Sequence, residues 1–167
     1  MFTSFKLCLV ILIYGFTVSV SAKTVFVNMQ YILQTVKAGK KAKNVLAREF
    51  KKKKKFLEKQ EKNLKKLGND LEKKRSVLSD SIFLQKQNNL QKQILKYRES
   101  VAKSQSDIQK RERKLTLPIL KNVQKLIKSL AKTNKYSVVL ERQSIVWAND
   151  NLDITKKVVK AYNRKYR

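Results

Sequence analysis

The sequence predicts a mainly α-helical protein, in which one long antiparallel coiled-coil hairpin projects from a small β-containing body. Three observations predict it. Apolar residues recur with 4-3 spacing along two successive stretches, a polar cluster separates those stretches, and short β-rich runs flank the pair at both ends. The chain is also strongly basic, with 40 Lys and Arg against 12 Asp and Glu and a net charge of +28 over 167 residues.

The N-terminus comes first. Met1 to Lys6 carry one positive charge, Leu7 to about Val20 are apolar, and Val20-Ser21-Ala22 is a small-residue cleavage site, which together predict a signal peptide over 1–22. An apolar stretch of about fourteen residues is short of the ~20 that span a bilayer. Cleavage after about Ala22 removes the only cysteine, Cys8, and with it disulfide and thiol chemistry. The exported chain is then expected outside the cytoplasm.

Thr24 to Val27 reads as a strand, and Asn28 caps a short helix holding Met29, Ile32 and Leu33. From about Ala38 to Leu130 the chain is Lys, Gln, Leu and Glu with few breakers, a long-helix composition. One seam holds Leu46, Phe50, Leu57, Leu64, Leu67, Leu71 and Leu78, and a second holds Phe83, Leu90, Ile94, Tyr97, Val101, Ile108 and Leu115. Folding at Ser79-Asp80-Ser81 sets Leu78 against Phe83, Leu71 against Leu90, Leu64 against Tyr97 and Leu46 against Leu115.

The hairpin arm is thus expected over 38–115 with its tip near 79–82, about 50 Å long at ~1.5 Å per residue. Several layers are half polar: Lys74 with Gln87, Gln60 with Val101, Leu57 with Ser104, Lys53 with Ile108 and Phe50 with Arg111. Such layers forgo part of the ~1.5–3 kcal/mol that a buried large apolar side chain contributes. Gly68 weakens the first helix by about 1 kcal/mol relative to alanine, so a flexible arm is expected. Pro118 interrupts the second seam, and the apolar spacing resumes at Ile119, Val123, Leu126 and Leu130, where the helix is expected to kink and enter the body. Tyr136 to Leu140 and Ile145 to Trp147 read as two more strands, and a last helix capped by Asp153 runs through Val158, Val159 and Tyr162. The body, 23–37 with 116–167, has about three short strands, too few to bury a core alone, so several chains are expected to share it.

The chemistry is defined by what is missing. Without histidine the chain lacks the commonest general base and transition-metal ligand, and its few carboxylates are scattered among lysines as helix-face ion pairs. Gly39-Lys40-Lys41 lacks the upstream glycine of a phosphate loop. No enzyme, no cofactor and no metal site is expected.

The charge calls for polyanionic or acidic partners. Nucleic acid fits a basic chain but not an exported one, and basic side chains here lack interleaved aromatics. The densest basic feature, Lys51, Lys52, Lys53, Lys54 and Lys55, continues through Lys62, Lys65 and Lys66; it is either a solvated surface or a long-range attractor for an acidic client. Phe56, Val77, Ile82, Leu84 and Leu95 lie beside the seams, where they either widen them or offer scattered apolar contacts to an unfolded chain.

Taken in order, Val25-Phe-Val-Asn-Met-Gln, Lys37-Ala-Gly-Lys, Leu117-Pro-Ile-Leu, Tyr136-Ser-Val-Val-Leu and Leu152-Asp-Ile-Thr around a Lys-rich hairpin resemble the Skp/OmpH family of periplasmic chaperones. The resemblance covers essentially the whole chain after the signal peptide. It implies a jellyfish-like homotrimer with a β-containing trimerisation body. It also implies an ATP-independent periplasmic holdase for unfolded outer-membrane β-barrel proteins, with lipopolysaccharide or an anionic lipid surface as a further partner. A basic envelope coiled-coil tether, or a lipopolysaccharide- or nucleic-acid-binding protein, is the alternative. The very high lysine content departs from a typical member.

Overall fold

The computed structural model describes residues 22–166, so the expected signal peptide, Ala22 apart, lies outside the described residues. Strand β1 (Thr24–Val27) pairs in parallel with β2 (Val138–Glu141), in a register running from Thr24 opposite Val138 to Val27 opposite Glu141. Parallel strands need a long crossover. Here the crossover is the hairpin itself, which leaves the end of β1 and returns to the start of β2.

Helix α1 (Met29–Thr35) starts where the sequence places it. The Asn28 side chain accepts the Tyr31 N–H at 2.8 Å, and the Glu141 carboxylate, at the end of β2, accepts the Met29 N–H at 3.2 Å. A carboxylate at a helix N-terminus satisfies an orphan donor and opposes the helix dipole. Val36 leaves the helical region (φ −62°, ψ 146°), and α2 (Lys37–Lys73) sets off in a new direction. Asn163 of α4 (Thr155–Lys165) accepts the Lys37 N–H at 2.9 Å, tying the foot of the arm to the last helix. At this joint Gly39 is pressed against α1: a Cβ there would stand 1.6 Å from the Leu33 carbonyl oxygen.

Helix α3 (Asp80–Asn134) runs through Pro118 without interruption. Its first fully buried residue is the next one, Ile119, so the proline marks the level at which the arm becomes body. Ile119, Val123 and Leu126 pack with Val25, Val27, Ile32, Val36, Ala42, Ile154, Val158 and Tyr162. The three elements α1, α3 and α4 thus cover one face of β1. One chain therefore gathers a core of its own, contrary to the sequence-based expectation, because helices rather than extra strands supply the cover. Ile154, not Asp153, occupies the capping position of α4, one residue later than expected; Asp153 still accepts the Thr155 N–H at 2.7 Å.

Two further expectations are corrected. Ile145 to Trp147 form no strand: a short 3₁₀ turn (Arg142–Ser144) follows β2, and the remaining edge of β1 makes a single bridge from Phe26 to Asp153. With no edge to pair on within the chain, this segment leaves Trp147 81% exposed. The reversal at the tip also comes earlier than expected. Residues 74–78 form a loose helical turn, in which Lys74 accepts N–H bonds from Val77 and Leu78, and the chain pivots at Ser79. Asp80 to Ile82 already belong to α3, whose start Ser79 caps. Serine and aspartate act here as a helix start, a role their composition signals as strongly as a turn.

The glycines predict opposite outcomes. Gly39→Ala is expected to cost about 3 kcal/mol, the upper end of overpacking penalties, read as a fall in the urea midpoint, because the obstacle is backbone. At Gly68 a Cβ meets only Leu90 Cδ2 at 3.7 Å, so Gly68→Ala is expected to stabilise the arm by about 1 kcal/mol, read as a raised helical melting temperature.

Candidate functional site

The arm is the candidate site because it is the part of the chain least able to cover its own apolar residues. Among the described residues, none between Ala42 and Ile119 is buried. Most seam residues are half-buried, and three stand open: Phe50 (57% exposed), Leu67 and Val101. The expected register holds, since Glu49 reaches Arg111, Lys53 reaches Asp107, and Leu57, Ser104 and Val101 line one hollow.

The two faces of the arm differ. On one, Gln60, Asn63, Gln93, Lys96 and Ser100 line a hollow of about 310 Å³ around Leu64 and Tyr97, and a second of about 420 Å³ nearer the tip is lined by Leu67, Leu71, Leu78 and Leu90 together with Asp70, Lys74, Lys86 and Asn89. This face also carries both ion pairs that cross between the helices, Lys53 with Asp107 at 2.9 Å and Glu49 with Arg111 at 3.0 Å. The other face opens into two larger hollows, about 530 and 520 Å³, which share Phe50 and Ile108. Leu33, Ala42, Leu46 and Ala47 line the first, and Leu57, Tyr97, Val101 and Ser104 the second. The ion pairs on this side run along α2, Lys54 to Glu58 at 3.7 Å and Lys65 to Glu61 at 2.9 Å, and leave the interhelical gap open.

Electrostatics follow the pairing. The hydrogen bond from Lys53 holds the Asp107 carboxyl below its ordinary value, against the smaller opposing effect of desolvation. The bond to Glu61 holds the Lys65 ammonium above its ordinary value.

Phe56, Val77, Ile82, Leu84 and Leu95 are all exposed, Val77 the most at 77%. They are not one site. Seven-residue spacing puts Phe56 in line with Asn63, and Ile82 in line with Asn89 and Lys96, on the amide-lined face. Leu84 and Leu95 fall in line with Gln105 and Gln109, on the face with the larger hollows. Val77 stands at the tip, beside Arg75, whose guanidinium pairs with Asp80 at 2.9 Å and lies 4.4 Å from the Phe83 ring centre. Lys51, Lys52, Lys55, Lys62 and Lys66 are exposed; Lys53, Lys54 and Lys65 are engaged by carboxylates. Phe50 and Val101 were assigned to the seam by their spacing. Their layer partners Arg111 and Gln60, both polar, were the signal that they would stay uncovered.

No helix of the described residues is long and apolar enough to cross a membrane, and no group of residues among them could hold a metal ion. A sequence profile of the family described as outer membrane protein (OmpH-like) matches residues 23–162. No curated protein matches. Among solved structures, a candidate outer membrane chaperone (OmpH-like) from Caulobacter crescentus CB15 matches with a TM-score of 0.75 at 19% identity, over 85% of this chain and 84% of that one. At that identity the likeness is one of fold.

The Lys53–Asp107 pair gives a pH prediction with a definite sign. A carboxyl whose folded value is depressed supports the fold fully above its unfolded value, and that support is lost as pH falls through the folded one. Carboxyl NMR titration is expected to place Asp107 below the ordinary aspartate value, and the Lys53→Gln variant to bring it back toward that value.

Proposed function

This chain belongs to the OmpH-like outer membrane protein family, and we propose on that premise that it is an ATP-independent periplasmic holdase. It would bind unfolded outer-membrane β-barrel proteins and keep them from aggregating before insertion. The observation that carries this reading is the arm: two helices of 37 and 55 residues whose shared length leaves large apolar side chains open among exposed lysines. Such an arm cannot select a folded partner by shape. Many weak contacts on an adaptable surface suit a client without fixed shape.

In this reading the lysines act first. With a net charge of +28 the chain attracts acidic segments over the ~10 Å reach of charges in 0.1 M salt. Apolar contacts along the arm, Phe56, Val77, Ile82, Leu84 and Leu95 among them, then hold the client without nucleotide or catalysis. Val138, Leu140, Val146 and Trp147, all exposed, support a body completed by further copies of the chain, three of them by the family resemblance. Surface of this kind is what an obligate interface covers.

The test uses the exported chain and an outer-membrane β-barrel protein diluted from urea. Light scattering is expected to be suppressed at stoichiometric trimer, and capture to slow several-fold between 0.05 and 0.5 M salt, a range over which screening shortens severely, roughly from beyond 10 Å toward 3 Å. Unsuppressed scattering would overturn the reading.

A further inference from the structure

We propose that the uncharged, apolar stretches of a client lie chiefly in the open groove on one face of the arm, over Phe50, Leu57, Val101 and Ile108, and that the opposite face adds only scattered contacts. The inference rests on the holdase reading and adds to it which surface binds which part of the client.

Continuity is the first argument. The two larger hollows share Phe50 and Ile108, so they form one groove running from the Gly39 joint to Tyr97. Along α2, from Ala42 to Glu61, that is about 30 Å, room for roughly nine residues of extended chain at ~3.3 Å each. The half-polar layers create it. Ser104 is too small to cover Leu57, and Lys53 and Arg111 turn toward carboxylates on the other face instead of covering Ile108 and Phe50.

Charge is the second. In a chain of net charge +28 this groove is nearly balanced. Lys53 is held by Asp107, Lys54 by Glu58 and Glu61 by Lys65, and the proximal hollow adds one cation, Lys43, and one anion, Glu112. An anionic headgroup or an acidic segment needs unpaired cations, which the exposed lysines elsewhere on the arm offer in excess. A balanced, apolar groove is complementary to a neutral, apolar polypeptide. The third argument is the contrast with the other face, which carries both cross-helix ion pairs and where the leucines of the hollow toward the tip share its lining with Asp70, Lys74, Lys86, Asn89 and Gln93.

The exported chain has no cysteine, so a single one can carry a photo-crosslinker at Gln105 or at Asn63, on opposite faces. With a urea-unfolded outer-membrane β-barrel protein as probe, crosslinking from Gln105 is expected to exceed that from Asn63 at least fivefold. Phe50→Gln, with unchanged helical melting, is expected to weaken client affinity about tenfold, and Asn63→Ala less than twofold. Equal crosslinking from both faces, or capture by Gln105 of a second copy of this chain alone, would overturn the groove. If the same preparations still suppress scattering, only the groove falls; if they do not, the holdase reading falls with it.

Discussion

Parallel pairing of β1 with β2 can be satisfied only if both feet of a hairpin more than a hundred residues round return to the same place. Everything in the body serves that closure. Glu141 at the end of β2 takes the first N–H of α1, Asn163 of α4 takes the first N–H of α2, and Thr155 takes the N–H of Asn28 at 2.9 Å. Each bond joins residues more than a hundred positions apart. Loop closure over such a length is slow, yet the cost is reduced here because the loop is itself a hairpin whose helices align through local contacts from the tip.

The arm and the body are held together by different physics. In the body, β1 supplies Val25 and Val27 to a dry core closed by helices, and burial dominates. Between Ala42 and Ile119 no residue is buried, and alignment comes from half-covered seam residues and two ion pairs between helices. Exposed ion pairs are worth ~0–1 kcal/mol each. They set register more than stability, and they do so on one face only. The two-sided character of the arm follows from where those few carboxylates sit.

Much of this was legible in the sequence. The 4-3 spacing located both helices and their register, because a seam repeats over many residues and errors average out. Asn28 announced a helix start by its chemistry, and Asp153 did so to within one residue. Three points were not legible. Ser79 and Asp80 read equally as turn and as cap, and only the geometry of the reversal separates the two. Ile145 to Trp147 has strand composition, but a strand exists only beside a partner edge, and sequence does not say whether one is free. The core formed within one chain because α1 and α4, short and weakly patterned, pack where no periodicity points. At the candidate site, the spacing marks the five flanking residues, and all five are exposed. Their division between two faces was hidden in the same repeat, since Phe56 and Leu95 are both one step from a seam residue but on opposite sides of it.

The pressed contact between Gly39 and Leu33 has a mechanical consequence. A lever magnifies play at its pivot in proportion to its length. Gly39 lies about 50 Å from Lys73 at the far end of α2, so a 10° looseness there would swing that end by about 9 Å, whereas the same bend at Gly68, about 8 Å from Lys73, moves it only about 1 Å. With the pivot jammed against backbone and the compliant point set far out, the arm is stiff at its root and pliant at its end, in the manner of a tapered spring.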